Sequence, residues 1–432
     1  MICSRNLARN VSLLLVLICC AAAPSRADEV IPSDPPMRWW KGNLHTHSLW
    51  SDGDDFPEMI SEWYRNHGYN FLALSDHNVL SVGQKWVKVA QIVQRAHGMM
   101  PVEQYRKRFG DWVESRGEGT SQEIRLKPLS EFRSLLEDRG KFILIQSEEI
   151  TQVLGQRPIH MNATNVLEFI KPPGGATAVE IMQNALDAVQ EQERRTGQPM
   201  LIHLNHPSYR WGLTPEDFAQ VVGEHFFEIY NPGPWHPGDA THEPMERVWD
   251  IANTLRLTKF NAPMLSGLAV DDSHHYHRSG INQMNPGKGW IWIHSKYLTP
   301  ESIINAIKNN AFYASSGVTL KDVQFHNNEI RIEIDPENGE KYTTRFVGTP
   351  VEHQLQLASG KYSPQVGMTF AEVQGTTATY KLTGKELFVR AVITSNAPPE
   401  SPSFPNQFKQ AWTQPVRPAN GEMIDHVGIT PQ

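Results

Sequence analysis

The chain has no cysteine beyond its first twenty residues, because Cys3, Cys19 and Cys20 are the only three among its 432 residues. A disulfide framework and a thiolate metal site are therefore excluded for the remainder of the sequence. An excess of basic residues is lacking too, since 40 Lys and Arg face 47 Asp and Glu, for a formal net charge of -7. This balance argues against a nucleic-acid binder.

Long apolar runs are missing after the N-terminus, so we expect no membrane-spanning segment in the body of the chain. The one early apolar run, residues 11–20, follows Arg5 and Arg9 and precedes a stretch of small residues. This pattern is typical of a secretory signal peptide and favours it over a membrane-anchoring helix. We expect cleavage after Ala27, which removes residues 1–27 and leaves an exported protein, periplasmic or secreted, without a membrane anchor.

From residue 38 to residue 317, short apolar runs alternate with longer helical patterns. The alternation predicts an α/β fold with a parallel sheet or barrel. Residues 79–141 are charged and are predicted to form a mostly helical insertion over one face. The predicted helices outside this insertion are residues 57–65, 179–194 and 243–255. The predicted strands are residues 42–45, 71–75, 142–145, 159–166, 200–205, 226–230 and 263–270.

The pattern changes to an alternation of apolar and polar residues after Gly317. It is clearest in residues 329–335, 380–382 and 387–394, which are separated by Gly, Asn and Pro. An alternation with period two is typical of antiparallel strands with one buried face. Residues 318–432 are therefore predicted to form a small antiparallel β domain.

Histidines and carboxylates recur at the downstream ends of the predicted strands, where a barrel places its chemistry. His45 and His47 are two apart on an extended backbone, so both imidazoles can reach one ion. Each such pair is ordinary by itself, but together they are too numerous for one ion and suit zinc, manganese or iron. The motifs are LHTHSLWSDG (residues 44–53), SDHN (75–78), EEIT (148–151), HMN (160–162), NHP (205–207) and DDSH (271–274).

These motifs, in this order, resemble the PHP superfamily, the polymerase and histidinol phosphatase metallohydrolases, over residues 41–318. The strings FYASSGVTL (residues 312–320) and LFVRAVITS (387–395) are similar to an exported branch that includes carbaryl hydrolase. The resemblance implies a distorted seven-stranded, TIM-like (β/α) barrel that holds two or three divalent metal ions, Zn, Mn or Fe.

The resemblance also implies which side chains hold these ions. Glu149 is preferred to Glu148 because the family's glutamate directly precedes an Ile-Thr-like pair, and Asp272 is preferred to Asp271 by its spacing to His274. The first ion would be held by His45, His47, Glu149 and Asp272, the second by Glu149, His160 and His206, and the third by Asp52, His77 and His274.

Four further residues are candidates for catalysis. Arg210 or Arg278 would neutralise charge that grows on a phosphoryl or acyl oxygen. Asp76 or His203 would assist metal-bound water in protonating the leaving group. For His203, a buried core histidine is an equally good interpretation.

The sequence therefore predicts an exported metal-dependent hydrolase that attacks a small-molecule ester with a hydroxide shared between two ions. A phosphate ester is favoured as the substrate. One alternative is hydrolysis of a carboxylic or carbamic ester at the same metals. The other is a non-catalytic exported binding module that kept the barrel.

Overall fold

A computed structural model of the chain describes residues 34–223, 225–233 and 241–418. The predicted signal peptide lies outside the described residues, so its cleavage stays a prediction. The described residues from Pro36 onward cluster as one compact unit. Among the described helices, none has both the length and the apolar character needed to cross a bilayer.

The described part of the chain contains both helices and strands, in a mixed α/β arrangement. The helices are α1 (Pro57–Asn66), α2 (Val89–Arg95), α3 (Pro101–Phe109), α4 (Leu129–Leu136), α5 (Ala178–Thr196), α6 (Pro215–Ala219), α7 (Met245–Leu255) and α8 (Pro300–Lys308). The strands are β1 (Arg38–Asn43), β2 (Phe71–Leu74), β3 (Lys85–Lys88), β4 (Ser115–Arg116), β5 (Glu123–Leu126), β6 (Ile143–Leu154), β7 (Arg157–Thr164), β8 (Leu201–Leu204), β9 (Phe226–Tyr230), β10 (Ser266–Ala269), β11 (Trp290–Ser295), β12 (Phe312–Ser315), β13 (Leu320–His326), β14 (Glu329–Ile334), β15 (Tyr342–Pro350), β16 (Met368–Gln374), β17 (Thr377–Lys381), β18 (Glu386–Ser395) and β19 (Gln410–Trp412).

A strand overlaps each of the seven positions predicted from the sequence, and these strands are neighbours in one sheet in the order β10-β9-β8-β7-β6-β2-β1. The pairs β1–β2, β2–β6, β8–β9 and β9–β10 are parallel, as expected. β7 is antiparallel to both β6 and β8, against the expected alternation of strand and helix. The reason is the connection between β6 and β7, which is only Gly155 and Gln156 and can close a hairpin but not a crossover.

The first and last of these seven strands approach each other beyond their ends. Thr46 and Ser273 form an isolated parallel bridge, and the His47 backbone N–H donates to the Ser273 carbonyl at 2.9 Å. Within the described residues no ladder joins β1 to β10, so a closed seven-stranded barrel stays a prediction. Between the strands lies an apolar cluster that includes Leu44, Phe71, Ile145, Leu201, Phe226 and Leu268.

The strands after residue 317 are antiparallel, as predicted. β13, β14 and β17 form a separate three-stranded sheet, whereas β15, β16, β18 and β19 join the main sheet through β11 and β12. A buried ion pair also ties this region to the helical layer, because Arg390 on β18 donates to both carboxylate oxygens of Asp250 on α7 at 2.9 and 2.8 Å. The C-terminal strands are therefore continuous with the α/β part.

The insertion over residues 79–141 was expected to be mostly helical, and that description is incomplete. It contains α2, α3 and α4, but also an antiparallel sheet in the order β3-β5-β4. These strands have four residues or fewer and include charged residues such as Lys85 and Lys88, so they show too little apolar alternation to be recognised. The apolar residues of the insertion pack against the segment before α1, where the rings of Phe56 and Tyr105 stack at 3.9 Å.

Candidate metal centre

The chain segments that follow β1 and β10 bring the first group of predicted ligands together. The His45 backbone N–H donates to the Asn43 side-chain oxygen at 3.0 Å. The bridge between Thr46 and Ser273 then sets the segment that carries both histidines beside the segment that carries Asp272. His45 and His47 are both fully buried.

Four ligand atoms of this group converge in the way that ligands of one metal ion do. His45 Nε2 lies 3.0 Å from His47 Nε2 and 3.1 Å from Asp272 Oδ1. His47 Nε2 lies 3.2 Å from Asp272 Oδ1 and 3.2 Å from Glu149 Oε2, and His45 Nε2 lies 3.5 Å from Glu149 Oε2. Ligands at about 2.0 Å from a tetrahedral centre are separated by roughly 3.3 Å. Five of the six separations among these four atoms therefore have about the size found in a tetrahedral metal site.

Glu149 Oε2 is the atom that best fits a bound cation. It is buried and accepts no hydrogen bond, although His45, His47 and His77 nitrogens lie within 2.7–3.5 Å of it. A buried carboxylate oxygen without a hydrogen bond is costly in free energy unless an ion compensates it. The residues present therefore fit a divalent metal ion, and all ligand atoms are the nitrogen and oxygen types that Zn, Mn and Fe accept.

The other oxygen of Glu149 faces the residues predicted for the second ion. Glu149 Oε1 lies 3.0 Å from His160 Nδ1 and 3.4 Å from His206 Nε2, and it accepts a hydrogen bond from Asn205 Nδ2 at 2.8 Å. Glu149 therefore lies between the histidines predicted for the first ion and those predicted for the second, and its bridging of two ions stays a prediction. His160 also groups with His77, and His206 groups with His45 and Asp272.

The third predicted group lies at the outer side of the centre. Asp52 Oδ1 is 3.3 Å from His274 Nε2 and 3.4 Å from His47 Nδ1, and Asp52 Oδ2 is 3.5 Å from His77 Nε2. The Asp52 side chain is 54% exposed, whereas His47 is fully buried. His47 therefore faces the first group with one ring nitrogen and this group with the other.

From the sequence, Glu149 and Asp272 are each preferred to an adjacent carboxylate, and the structure gives the two members of each pair different environments. Glu148 turns away from the centre and accepts the Ile170 backbone N–H at 2.6 Å. Asp271 accepts the backbone N–H groups of Gly287, Lys288 and Gly289 and the hydroxyl of Tyr64. Glu149 and Asp272 are therefore the members of each pair that face the histidines.

Electrostatics inside the centre favour protons or cations. Burial lowers the pKa of His45, but the carboxylates of Asp272, Glu228 and Glu149 outweigh it and raise this pKa to about 10. Burial likewise opposes the Glu149 charge, yet the surrounding histidines hold its pKa well below the usual range. A divalent cation replaces such protons, because metal ligands must be deprotonated.

The sequence interpretation missed Glu228 on β9. Its Oε1 lies 2.6 Å from His45 Nδ1 and 3.2 Å from His203 Nε2, and its Oε2 accepts the His206 backbone N–H at 2.7 Å. It is a charged residue within a strand of five buried residues, FFEIY, and this was the available signal. His203 is buried and contacts this carboxylate, so the structure places it behind the ligands and away from the cavity.

Asp76 is also placed differently from the prediction. Its Oδ1 accepts hydrogen bonds from the Ser48 and Ser51 backbone N–H groups and the Ser51 hydroxyl, and its Oδ2 accepts the Ser48 hydroxyl. Both oxygens are therefore engaged in shaping the loop after His47. The structure contradicts a role for Asp76 in protonating a leaving group.

A cavity of about 310 Å³ opens beside the centre. Neither Arg210 nor Arg278 lines it, so the predicted role of either arginine in neutralising charge stays a prediction. Arg210 is exposed and lies over the ring of Tyr209, and Arg278 lines a different cavity. Among the described residues, no Lys, Arg or Trp lines the cavity. Its wall consists of Asp52, His77, His160, His206, Ser208, Tyr209, Asn231, Gly233, Asp272, His274, His275 and Met284.

Fold and site together define an α/β protein with a buried histidine–carboxylate centre that can hold divalent metal ions. No protein-family model matches the chain, and no curated protein matches it. One similar solved structure is a two-domain protein of Bacteroides vulgatus that contains a predicted PHP-like metal-dependent phosphoesterase; the identity is 15%, the TM-score 0.39, and the match covers 91% of this chain and 100% of that one.

A second similar structure, from Bifidobacterium adolescentis, bears the provisional description of a metal-dependent phosphoesterase. The identity is 13%, the TM-score 0.25, and the match covers 57% of this chain and 91% of that one. These likenesses are too distant to assign the chain to a family.

Proposed function

We propose that the protein is an exported metal-dependent hydrolase of the PHP type that acts on small-molecule phosphate esters. The observation that carries the proposal is Glu149, a buried carboxylate whose Oε2 accepts no hydrogen bond while histidine nitrogens surround it. The other eight predicted ligands belong, together with Glu149, to overlapping groups of side chains that could hold metal ions.

Divalent ions in such a centre supply a hydroxide nucleophile at neutral pH, because they lower the pKa of coordinated water toward about 7. The chain provides the other requirements. Glu149 faces two groups of histidines with its two oxygens, and Glu228 holds the His45 ring through Nδ1. A substrate would occupy the cavity lined by His160, His206 and Asp272.

Charge balance relates the number of ions to the kind of substrate. Four carboxylates belong to the centre or contact its ligands: Asp52, Glu149, Glu228 and Asp272. Three divalent ions would bring six positive charges against four on these carboxylates and one on the hydroxide, which leaves one positive charge in excess, whereas two ions would leave one negative charge. A three-ion centre therefore attracts a phosphate anion without any help from arginine or lysine.

Hydrolysis of a carboxylic or carbamic ester is the second candidate. The specific observation in its favour is that, within the described residues, the cavity wall carries no Lys or Arg. With two ions the centre is close to neutral, and a neutral ester then binds without an electrostatic penalty.

Purified protein, saturated with zinc or manganese, would be assayed on chromogenic phosphate monoesters and diesters and on chromogenic acyl esters. We expect phosphate turnover that His45→Ala abolishes and that His326→Ala, a change at an exposed histidine, preserves. Acyl turnover without phosphate turnover would identify the second candidate. Fewer than one ion per chain after dialysis, with no turnover that added metal restores, would identify a non-catalytic binding module.

Export is tested separately. The full chain would be expressed in a bacterium, the periplasmic fraction isolated, and the protein's N-terminus sequenced. We expect a mature protein that begins at Asp28, because cleavage is predicted after Ala27. An intact Met1 in the cytosolic fraction would contradict export without affecting the proposed chemistry.

A further inference from the structure

Asn231 is a polar residue of the cavity wall to which the proposed chemistry gives no role. It comes directly after β9, three positions beyond Glu228, and is 5% exposed. None of the groups of side chains that could hold a metal ion includes it. Its side chain nevertheless contacts two carboxylates of the centre, so we asked what this amide does there.

The amide nitrogen of Asn231 donates to both carboxylates. Nδ2 lies 2.8 Å from Glu228 Oε2 and 3.2 Å from Asp272 Oδ2. An amide nitrogen carries two hydrogens, so it can serve both acceptors at once. The amide oxygen, Oδ1, accepts the Gly233 backbone N–H at 2.8 Å. This bond defines the orientation of the amide, because the reversed orientation would place Oδ1 against two anions.

Through these two bonds Asn231 reaches two of the four side chains predicted to hold the first ion. Asp272 turns Oδ1 toward His45 and His47, at 3.1 and 3.2 Å, while its Oδ2 is held by Asn231. Glu228 contacts His45 Nδ1 with Oε1, while its Oε2 is held by Asn231. One amide therefore orients Asp272 directly and His45 through Glu228.

Asp272 depends on such a contact because its backbone is unusual. Its φ is 45°, in the left-handed region that residues other than glycine seldom adopt. A conformation of this kind persists only where surrounding contacts determine it. Within the described part of the chain, Asn231 is the donor that bonds Asp272 Oδ2. Without it, the carboxylate could rotate and present both oxygens to an ion.

A neutral amide also suits the charges at this position. Two carboxylate oxygens approach one nitrogen, and its N–H groups offset their repulsion without adding a net charge. A lysine or arginine at this position would repel a divalent ion in the centre. Because Glu228, Asp272 and the Gly233 N–H engage both ends of the amide, Asn231 acts on the ligands and is not available to a substrate.

We propose that Asn231 is a positioning residue of the metal centre. It holds Asp272 so that Oδ1 alone faces the other ligands of the first ion, and it supports His45 through Glu228. The inference rests on the metal centre of the proposed function but not on the identity of the substrate.

Titration of cobalt(II) into the full chain, after a chelator has removed other metals, tests the proposal. The visible absorption of cobalt reports the number and arrangement of its ligands as well as its affinity. Asn231→Leu keeps a side chain of similar size and loses both donors, which frees Asp272 Oδ2 to join Oδ1. We expect the affinity for cobalt to fall by about tenfold. The absorbance per bound ion should fall too, because cobalt with more than four ligands absorbs more weakly.

Asn231→Ser is the second variant, since it is the milder change and keeps one donor, and it should show smaller shifts in the same direction. Asn253→Ser is the matched control. Asn253 is a fully buried amide on α7, outside the centre, and its Oδ1 accepts the Leu265 backbone N–H at 2.6 Å. It should lower the free energy of unfolding and leave the cobalt spectrum unchanged. Circular dichroism confirms that each variant is folded.

The outcomes separate this role from the proposed function. An unchanged spectrum and affinity in both Asn231 variants would overturn the positioning role, as would an equal change in Asn253→Ser. Cobalt binding by the natural chain without turnover of any ester would overturn the hydrolysis alone, because the spectra still decide the role of Asn231. Absence of cobalt binding by the natural chain would overturn both.

Discussion

Glu228 Oε1 lies 2.6 Å from Nδ1 of His45, so a carboxylate on one strand fixes the imidazole that another segment presents to the metal centre. Burial opposes the charge of Glu228, but His45 and His203 outweigh it and hold its pKa at about 2. A carboxylate behind a ligating histidine orients the ring and makes it more basic.

Removal of this carboxylate should weaken metal binding. We expect Glu228→Gln to lower the affinity for zinc by about 10- to 100-fold, the usual effect of losing such a partner. Competition with a chromogenic chelator measures the affinity. Glu191→Gln, on the exposed face of α5, is the control, and an unchanged affinity in Glu228→Gln would show that His45 is oriented without it.

Substitution of two adjacent aspartates should have different effects on metal content and stability. Asp272→Asn should remove at least one ion per chain, because Oδ1 of Asp272 faces both His45 and His47. Asp271→Asn should keep the metal content and lower the free energy of unfolding by about 1–3 kcal/mol, since its carboxylate holds the backbone of residues 287–289. Metal analysis and urea unfolding distinguish the two, and the opposite pattern would exchange their roles.

Glu58 on α1 should make stability fall as pH rises. Burial raises its pKa to about 7, although Tyr105 and Trp112 donate hydrogen bonds to it. The native state therefore binds a proton more tightly than the unfolded state, whose pKa is near 4.5. The loss of stability caused by ionising the buried Glu58 is absent below pH 4.5, grows between pH 4.5 and pH 7, and is complete above pH 7. For a pKa displaced from 4.5 to about 7, it is on the order of 3 kcal/mol.

Glu58→Gln removes this titration while keeping the side-chain shape. The free energy of unfolding of Glu58→Gln, minus that of the natural chain, should rise by about 3 kcal/mol from pH 4.5 to pH 8. Urea unfolding at both pH values measures this difference. Glu103→Gln, at an exposed position on α3, should show no comparable change, and a parallel profile for both variants would rule out Glu58 as the cause.

The ion pair between Asp250 and Arg390 should be a major contributor to stability. Both side chains are buried, at 2% and 0% exposure, so Asp250→Asn leaves the buried guanidinium with only the more distant carboxylate of Glu246, 4.0 Å away, and should cost about 3–5 kcal/mol. The exposed pair of Arg116 and Glu123 is the comparison, and Glu123→Gln should cost less than about 1 kcal/mol. Similar losses in both variants would mean that burial does not determine the effect.

The parts that the sequence predicted well depend on local patterns. The seven strands are recognised from short, largely apolar segments, of which β2 (FLAL) is the clearest because it is apolar and buried throughout. Glu149 and Asp272, the members of each carboxylate pair that face the histidines, are also chosen from local signals: Glu149 from the resemblance of the EEIT motif to the PHP superfamily, and Asp272 from its two-residue spacing to His274. Such signals are contained within a few residues of the chain.

The parts that it missed depend on contacts between distant segments. Glu228 lies 183 positions from His45 in sequence, and a lone glutamate in an apolar strand does not name its partner. Asp76 has the residue type of a proton donor, but Ser48 and Ser51 engage both of its oxygens. Arg210 and Arg278 are close to ligands in sequence, whereas the fold directs them away from the cavity.

The position of the bridge between Thr46 and Ser273 suggests that an ion in the metal centre would also stabilise the fold. His45 and His47 flank one side of this bridge, and Asp272 and His274 flank the other. An ion held by both sides acts as a cross-link between the first and last strands of the sheet, where the ladder is otherwise interrupted. Above the dissociation constant, each tenfold rise in free metal then adds about 1.4 kcal/mol to the free energy of unfolding. The concentration of free metal would then determine part of the stability of this fold.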